Sequence, residues 1–222
     1  MSEQKNKETP ETTKVESPKI PNVAYPLKPR SNVTNLSQQY FNHLAGDESA
    51  RFLFNNSGLW HQGIHLRASK FPSSEFENDK ICAIADGKLI AYKVDSEYKK
   101  DNSKAEAPME GAVYSTGYFL LKHKIAYPKE NVLTFYSLYR HTAKLGDYKS
   151  TPNKAKSGDK NKVVGLPLLN KHKIATQADV EVKLDKPIEI KAGEALGLMG
   201  EYNQAGESGE KLLHLEVFTY DN

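Results

Sequence analysis

Alternation of apolar and polar positions governs the second half of the chain. In Leu212-Leu-His-Leu-Glu-Val-Phe218 an extended backbone places Leu213, Leu215 and Val217 on one face and His214 and Glu216 on the other, because successive strand side chains point to opposite faces. Leu133 to His141 is a second aromatic-rich strand that ends in a histidine, with Tyr136 and Tyr139, three apart, on opposite faces. Tyr118 to Tyr127 and Val132 to His141 predict a hairpin through Pro128, and Asp86-Gly87 between ICAIA and KLIAYKV predicts another, since Asp and Gly tolerate the positive φ of a two-residue turn. Further strands are expected at Val180 to Leu184, at Ile188 to Ile190 before a Lys191-Ala-Gly193 turn, and at Ala195 to Met199. There is no heptad and no repeat of 20 to 50 residues. The pattern predicts a mainly β protein, an antiparallel sheet or sandwich core with long polar loops.

Near the N-terminus the period changes. Leu36, Tyr40, Phe41 and Leu44, closed by Gly46, predict one short amphipathic helix packed on the edge of the domain. Residues 1–30 are rich in Lys, Glu, Thr and Pro and poor in aromatics, a composition that buries too little apolar surface to offset the entropy of ordering, so they read as a disordered tail. Residues 31–57 then hold the helix and a lead-in, and residues 58–222 the main domain.

Composition narrows the class. The 222 residues accommodate one domain and a tail, and 38% hydrophobic content with a mean hydropathy of −0.66 fits a soluble protein. No run approaches the roughly 18 apolar residues of a membrane span. MSEQKNKETPETTK has no apolar stretch of the kind a standard secretory signal peptide needs, so the expected location is cytoplasmic unless a dedicated secretion machine carries the protein to the periplasm or outside the cell. The single Cys82 excludes an internal disulfide and a multi-cysteine zinc cluster, and its apolar surroundings predict a small buried side chain. A net charge of +3, mixed in sign along the chain, leaves no footprint for nucleic acid, and the lysines at 99–104 and 144–162 read as solvated loops. A monomer is expected.

The candidate chemistry lies in LWHQGIHLRA, residues 59–68. On a strand, His61 and His65 share a face, so both imidazoles can meet one metal, and Gly63 between them lets another group approach the backbone closely. Taken alone the pair also fits two ordinary surface or half-buried histidines. His141, His214 and Glu216 at the ends of other strands add to the case for a site built on a sheet. His123 reads as structural, His43 and His172 as surface residues, and Phe54 and Trp60 as packing.

WHQGIH, FYSLYRH and LLHLE, in that order, resemble the motifs of the lysostaphin-like (LytM-type) zinc metallopeptidases, which cut peptide cross-bridges of bacterial cell walls. That family carries His-x-x-x-Asp, often His-x-Gly-x-Asp, then a lone His after a Tyr-containing strand, then His-x-His commonly followed by an aromatic residue and Glu. Here His65 replaces the Asp and Leu212 replaces the first His of the last motif. ICAIADGKLIAY and PIEIKAGEALGLMGEY resemble the family's hairpin and Gly-rich strand, so the resemblance runs from about Gly58 to Thr219.

The resemblance implies the family's duplicated hybrid β fold and a Zn2+ ion held by His61, His65 and His214, with a fourth position for water. It implies that His141 faces the site as general acid/base or transition-state stabiliser. Glu216 would hold a ligand by a hydrogen bond or replace the missing base. The functional expectation is a zinc endopeptidase directed at peptidoglycan, delivered as a secreted effector or acting as a phage-type lysin. The alternative is a catalytically inactive copy of the fold that binds cell wall or regulates another hydrolase. Leu212 and His65 favour the inactive copy; His61, His141 and His214 favour the enzyme.

Overall fold

A computed structural model describes residues 20–47, 53–54, 60–102, 111–128, 130–148, 166–203 and 207–220, with backbone alone at 53–54 and 60–61. In chain order the elements are α1 (Leu36–Ala45), β1 (Leu53–Phe54), β2 (Trp60–His61), β3 (Gly63–Arg67), β4 (Lys80–Cys82), β5 (Gly87–Lys93), β6 (Lys99–Asp101), β7 (Ala112–Tyr114), β8 (Gly117–Ala126), β9 (Val132–Thr142), α2 (Pro167–Lys171), β10 (Glu181–Ile190), β11 (Ala195–Leu198), β12 (Gly200–Glu201) and β13 (Lys211–Thr219). The fold is mainly antiparallel β, as the alternation requires. Among the described residues no helix is long and apolar enough to cross a membrane.

One seven-stranded sheet dominates, in the order β10-β5-β8-β9-β13-β12, with β3 also paired to β13. The register shows how β13 is surrounded. His214 pairs with Arg140 of β9 and with His65 of β3, and Leu212 pairs with Gly200 of β12 and with Arg67 of β3. A residue can have two cross-strand partners only if they lie on opposite edges, so β3 runs along one edge of β13 while β9, continued by β12, runs along the other. The hairpin expected through Pro128 is present as β8 and β9, paired from Ala126↔Val132 to Tyr118↔Arg140.

Alternation then sorts the two faces. Leu66, Leu89, Phe119, Leu121, Tyr139, Leu213 and Leu215 point into the core, where they meet Leu27, Tyr40, Phe71, Phe76, Ile81, Leu169 and Met199 from the layer packed on that face. His65, Arg140, His214 and Glu216 take the other face by the same register. The helix ends at Gly46 as expected, but only one side of it is apolar in effect: Tyr40 is buried while Phe41 remains 64% exposed.

Two expectations give way. ICAIA and KLIAYKV do not form a hairpin. β4 pairs with β11, whereas β5 lies between β8 and β10 in the large sheet. Asp86 ties down this crossing, its carboxylate accepting from the Ala192 backbone N–H at 2.9 Å and the Asn22 amide at 2.8 Å. A Cβ on Gly87 would lie 2.4 Å from Nδ1 of His123, so glycine serves a close approach there and not a positive φ.

The disordered tail expected over residues 1–30 does not fit residues 22–30, and residues 1–19 lie outside the described residues. From Asn22 the chain is tied to the domain, with Val23 bridged to Ala85 and Pro29 to Phe76, and with backbone hydrogen bonds from Ala24, Arg30 and Cys82 across the contact. Leu27 is fully buried. Averaging over 30 residues hid this apolar segment, Val23-Ala-Tyr-Pro-Leu27, behind its polar neighbours. Leu27→Val, which removes one methylene from a filled site, is therefore expected to cost about 1 kcal/mol in urea unfolding, where a residue in a free tail would cost nothing.

Candidate functional site

The site forms where β3, β9 and β13 lie side by side. His65 and His214 are direct cross-strand partners and so share a face, and Nε2 of His65 lies 2.8 Å from Nδ1 of His214. The other nitrogen of His214, Nε2, is 2.9 Å from Oε1 of Glu216, which lies two residues on along the same face. A carboxylate accepts, so the His214 Nε2 carries the hydrogen and Nδ1 presents its lone pair toward His65. Glu216 thus fixes the tautomer that leaves Nδ1 available as an acceptor or ligand.

Gly63 makes this arrangement possible. It lies opposite Glu216 in register, and a Cβ there would stand 2.7 Å from the Leu215 carbonyl oxygen and 2.9 Å from Nε2 of His214. Both are closer than carbon can approach, so any side chain at 63 would displace the imidazole or its carboxylate partner.

His141 reaches the site through an irregularity. Gly117 pairs with Thr142 and Tyr118 with Arg140, so His141 is an extra residue without a cross-strand partner, and its φ of 62° lies in the left-handed region that costs a non-glycine residue strain. A bulge re-aims its side chain. In regular alternation His141 would point into the core beside Tyr139's neighbours; instead its ring centroid lies 6.2 Å from that of His214. Nδ1 of His141 donates to the Ser115 carbonyl at 2.9 Å, leaving Nε2 as the lone-pair nitrogen. Burial, and secondarily the positive charge of Arg140, push its pKa down to about 4, while the Ser115 carbonyl opposes the shift. At neutral pH it is an uncharged acceptor.

The Ser115 turn is itself anchored. Asp95, fully buried, accepts from the Thr116 backbone N–H at 2.6 Å and from the Thr116 hydroxyl at 2.7 Å. Tyr202 completes the cluster, its ring 4.2 Å from that of His141 and 6.4 Å from that of His65. Neither Ser115 nor Tyr202 was apparent from the sequence. The one available signal for Tyr202 is its position just after the Gly-rich strand, where a bridge to Tyr114 now holds it.

The remaining expected residues are distributed as follows. His61 falls in β2, directly before β3, and its side chain lies outside the described residues. Leu212 is fully buried on the His214 face by alternation and lies outside the core cluster that Leu213 and Leu215 join. His123 is structural, hydrogen-bonded to the Ser137 hydroxyl at 2.7 Å and to the Asp86 carbonyl at 2.9 Å. His43 is half-buried against Phe71 and Phe76 and reaches Glu75 at 3.2 Å, more engaged than a surface residue, while His172 is exposed.

Among the described residues no group of three His, Cys, Asp or Glu side chains is placed to hold a metal. The His65–His214 pair brings two imidazole nitrogens together, and both would ligate once the hydrogen that His65 Nε2 donates to His214 Nδ1 moves to the other nitrogen of His65. Two ligand nitrogens on one tetrahedral zinc stand about 3.3 Å apart, given bonds of about 2.0–2.1 Å, so a shift of about half an ångström from the present contact would admit the ion. The donor chemistry fits zinc. A cleft of about 770 Å³ lined in part by Lys28, Asp79, Cys82, Tyr148 and Leu168 contains no histidine and is separate from this cluster.

No known protein family, no characterised protein and no solved structure matches the chain.

Proposed function

We propose that the chain is a zinc-dependent peptidase of the lysostaphin-like type acting on peptides of the bacterial cell wall. The observation that supports this reading best is the convergence of His65 Nε2 and His214 Nδ1 with Glu216 on the far nitrogen of His214. A carboxylate behind a ligating imidazole is the arrangement that orients a metal-binding histidine and raises its basicity. His61, His65 and His214 would hold the ion. When bound, zinc supplies a water whose pKa falls toward neutrality and a Lewis acid for the scissile carbonyl.

The chain's own residues divide the remaining work. Glu216 keeps His214 in the ligating tautomer. His141, neutral and with Nε2 unprotonated, is available to take a proton or to receive a hydrogen bond from a reacting water. Tyr202, tilted against the His141 ring at a centroid distance of 4.2 Å and 36% exposed, limits how far that ring can turn.

A second reading, a catalytically inactive wall-binding copy, is favoured by one observation: Leu212, fully buried two residues before His214, occupies the position at which the resembled enzymes carry their other proton-handling histidine. Release of new amino termini from purified cell walls, measured with zinc and again after chelation, separates the two. The enzyme releases them only with zinc. With Leu212→His, a proton acceptor is restored about 7 Å along the strand from His214, and the rate is expected to rise by about 10²-fold, the usual range for one acid/base group. No release from either protein would leave the binding reading in place.

A further inference from the structure

We infer that Arg140 reads a carboxylate on the bound peptide, and that the open face of the large sheet beside the imidazoles is the track along which a carboxylate-bearing peptide lies. This rests on the peptidase reading of the same site.

Arg140 is the cross-strand partner of both His214 and Tyr118, so its side chain leaves the sheet on the His214 face, one strand spacing from that residue. The residue is exposed, and its guanidinium makes no hydrogen bond or ion pair with any described residue. An unopposed guanidinium next to a cluster of neutral or ligating imidazoles is unfavourable for zinc binding at long range, and nothing in the packing of the described residues calls for it.

The same register defines the rest of the face. Running away from the imidazoles it carries Leu138 and Tyr136 of β9, Leu120 and Lys122 of β8, and Phe218 of β13, all at least partly exposed. Tyr136 and Phe218 stack at 5.5 Å. Of the acids on this face, Glu216 is occupied by His214, Glu189 is paired with Lys88, and Glu181 lies three strands from Arg140 in the same register row, whereas neither Arg140 nor Lys122 forms a salt bridge with a described residue. A surface that interleaves apolar pads with uncompensated cations suits an extended peptide with apolar side chains and a carboxylate. A phosphate polymer would leave the Leu120, Leu138 and Phe218 surface without a partner. The planar guanidinium matches a carboxylate through two parallel N–H···O bonds, which makes Arg140 and not Lys122 the discriminating group.

The test titrates the full chain, in chelator so that no turnover occurs, with a synthetic cell-wall stem peptide bearing free carboxylates and with the same peptide fully amidated. Wild type is expected to bind the acid form about 10-fold more tightly, the scale of one charge-assisted hydrogen-bonded contact at an exposed site. Arg140→Gln is expected to abolish that preference with an unchanged thermal midpoint, and Arg140→Lys to retain part of it. Equal affinity for the two peptides, no binding of either, a preference surviving in Arg140→Gln, or tighter binding of inorganic polyphosphate than of the acid peptide would each overturn the inference. Hydrolysis separates the two levels. Zinc-loaded protein that cleaves acid and amide alike keeps the peptidase reading and removes this one, whereas Arg140-dependent binding without cleavage does the reverse.

Discussion

His214→Ala is expected to abolish stoichiometric zinc binding and to lower release of peptides from cell walls by about 10³-fold or more, because it deletes one of the three proposed ligands and with it the only described partner of the Glu216 carboxylate. Three contacts of the site meet at this imidazole: Nδ1 faces His65, Nε2 holds Glu216, and the ring lies beside His141. A milder substitution makes the same point without a cavity. Glu216→Gln keeps the size and an acceptor oxygen but removes the charge, and zinc affinity is expected to fall by about 10- to 100-fold, the range for groups that orient a ligand. If His214→Ala retains zinc and activity while folded, the metal is held elsewhere.

The second large effect is on stability. In the metal-free protein the free energy of unfolding is expected to fall by on the order of 3 kcal/mol as pH drops from about 6.5 to 4. His141 has its folded pKa pushed from 6.5 down to about 4, mainly by burial. The unfolded chain therefore takes up the proton first, and between those values it binds more protons than the native state. Stability from this source is fully present above about pH 6.5 and is lost as pH falls through the window. His123, also lowered by burial, acts in the same direction. Urea unfolding at a series of pH values measures the slope, and His141→Asn, which tolerates the left-handed backbone, is expected to flatten it. A wild-type stability independent of pH between 6.5 and 4 would show that His141 is freely protonated in the native state.

The strands that carry the site were legible because their periodicity is strong. In Leu213, Leu215 and Val217 against His214 and Glu216 the alternation left one assignment of faces, and β13 follows it. The α1 helix and the β8–β9 hairpin were legible for similar local reasons. What escaped is non-local. Asp86-Gly87 has the composition of a tight turn, but Gly87 answers to the ring of His123, 36 residues later in sequence, and β4 to β11 at the far end of the chain. The bulge at His141 cannot be seen in a strand pattern, since period-two alternation assigns that residue to the core face. Tyr202 and the Ser115 turn enter the site only because β7, from the separate β6–β7 pair, is bridged to β12 beside the end of β9. The buried Leu27 segment was obscured by the polar residues around it.

The most direct measurement is the zinc content and affinity of the purified full chain beside His65→Ala and His214→Ala, with near-UV circular dichroism to show that each variant is folded. The account requires one zinc per wild-type chain and its loss from both variants. A folded wild type that takes up no zinc at stoichiometric addition, or variants that keep the metal, would contradict it.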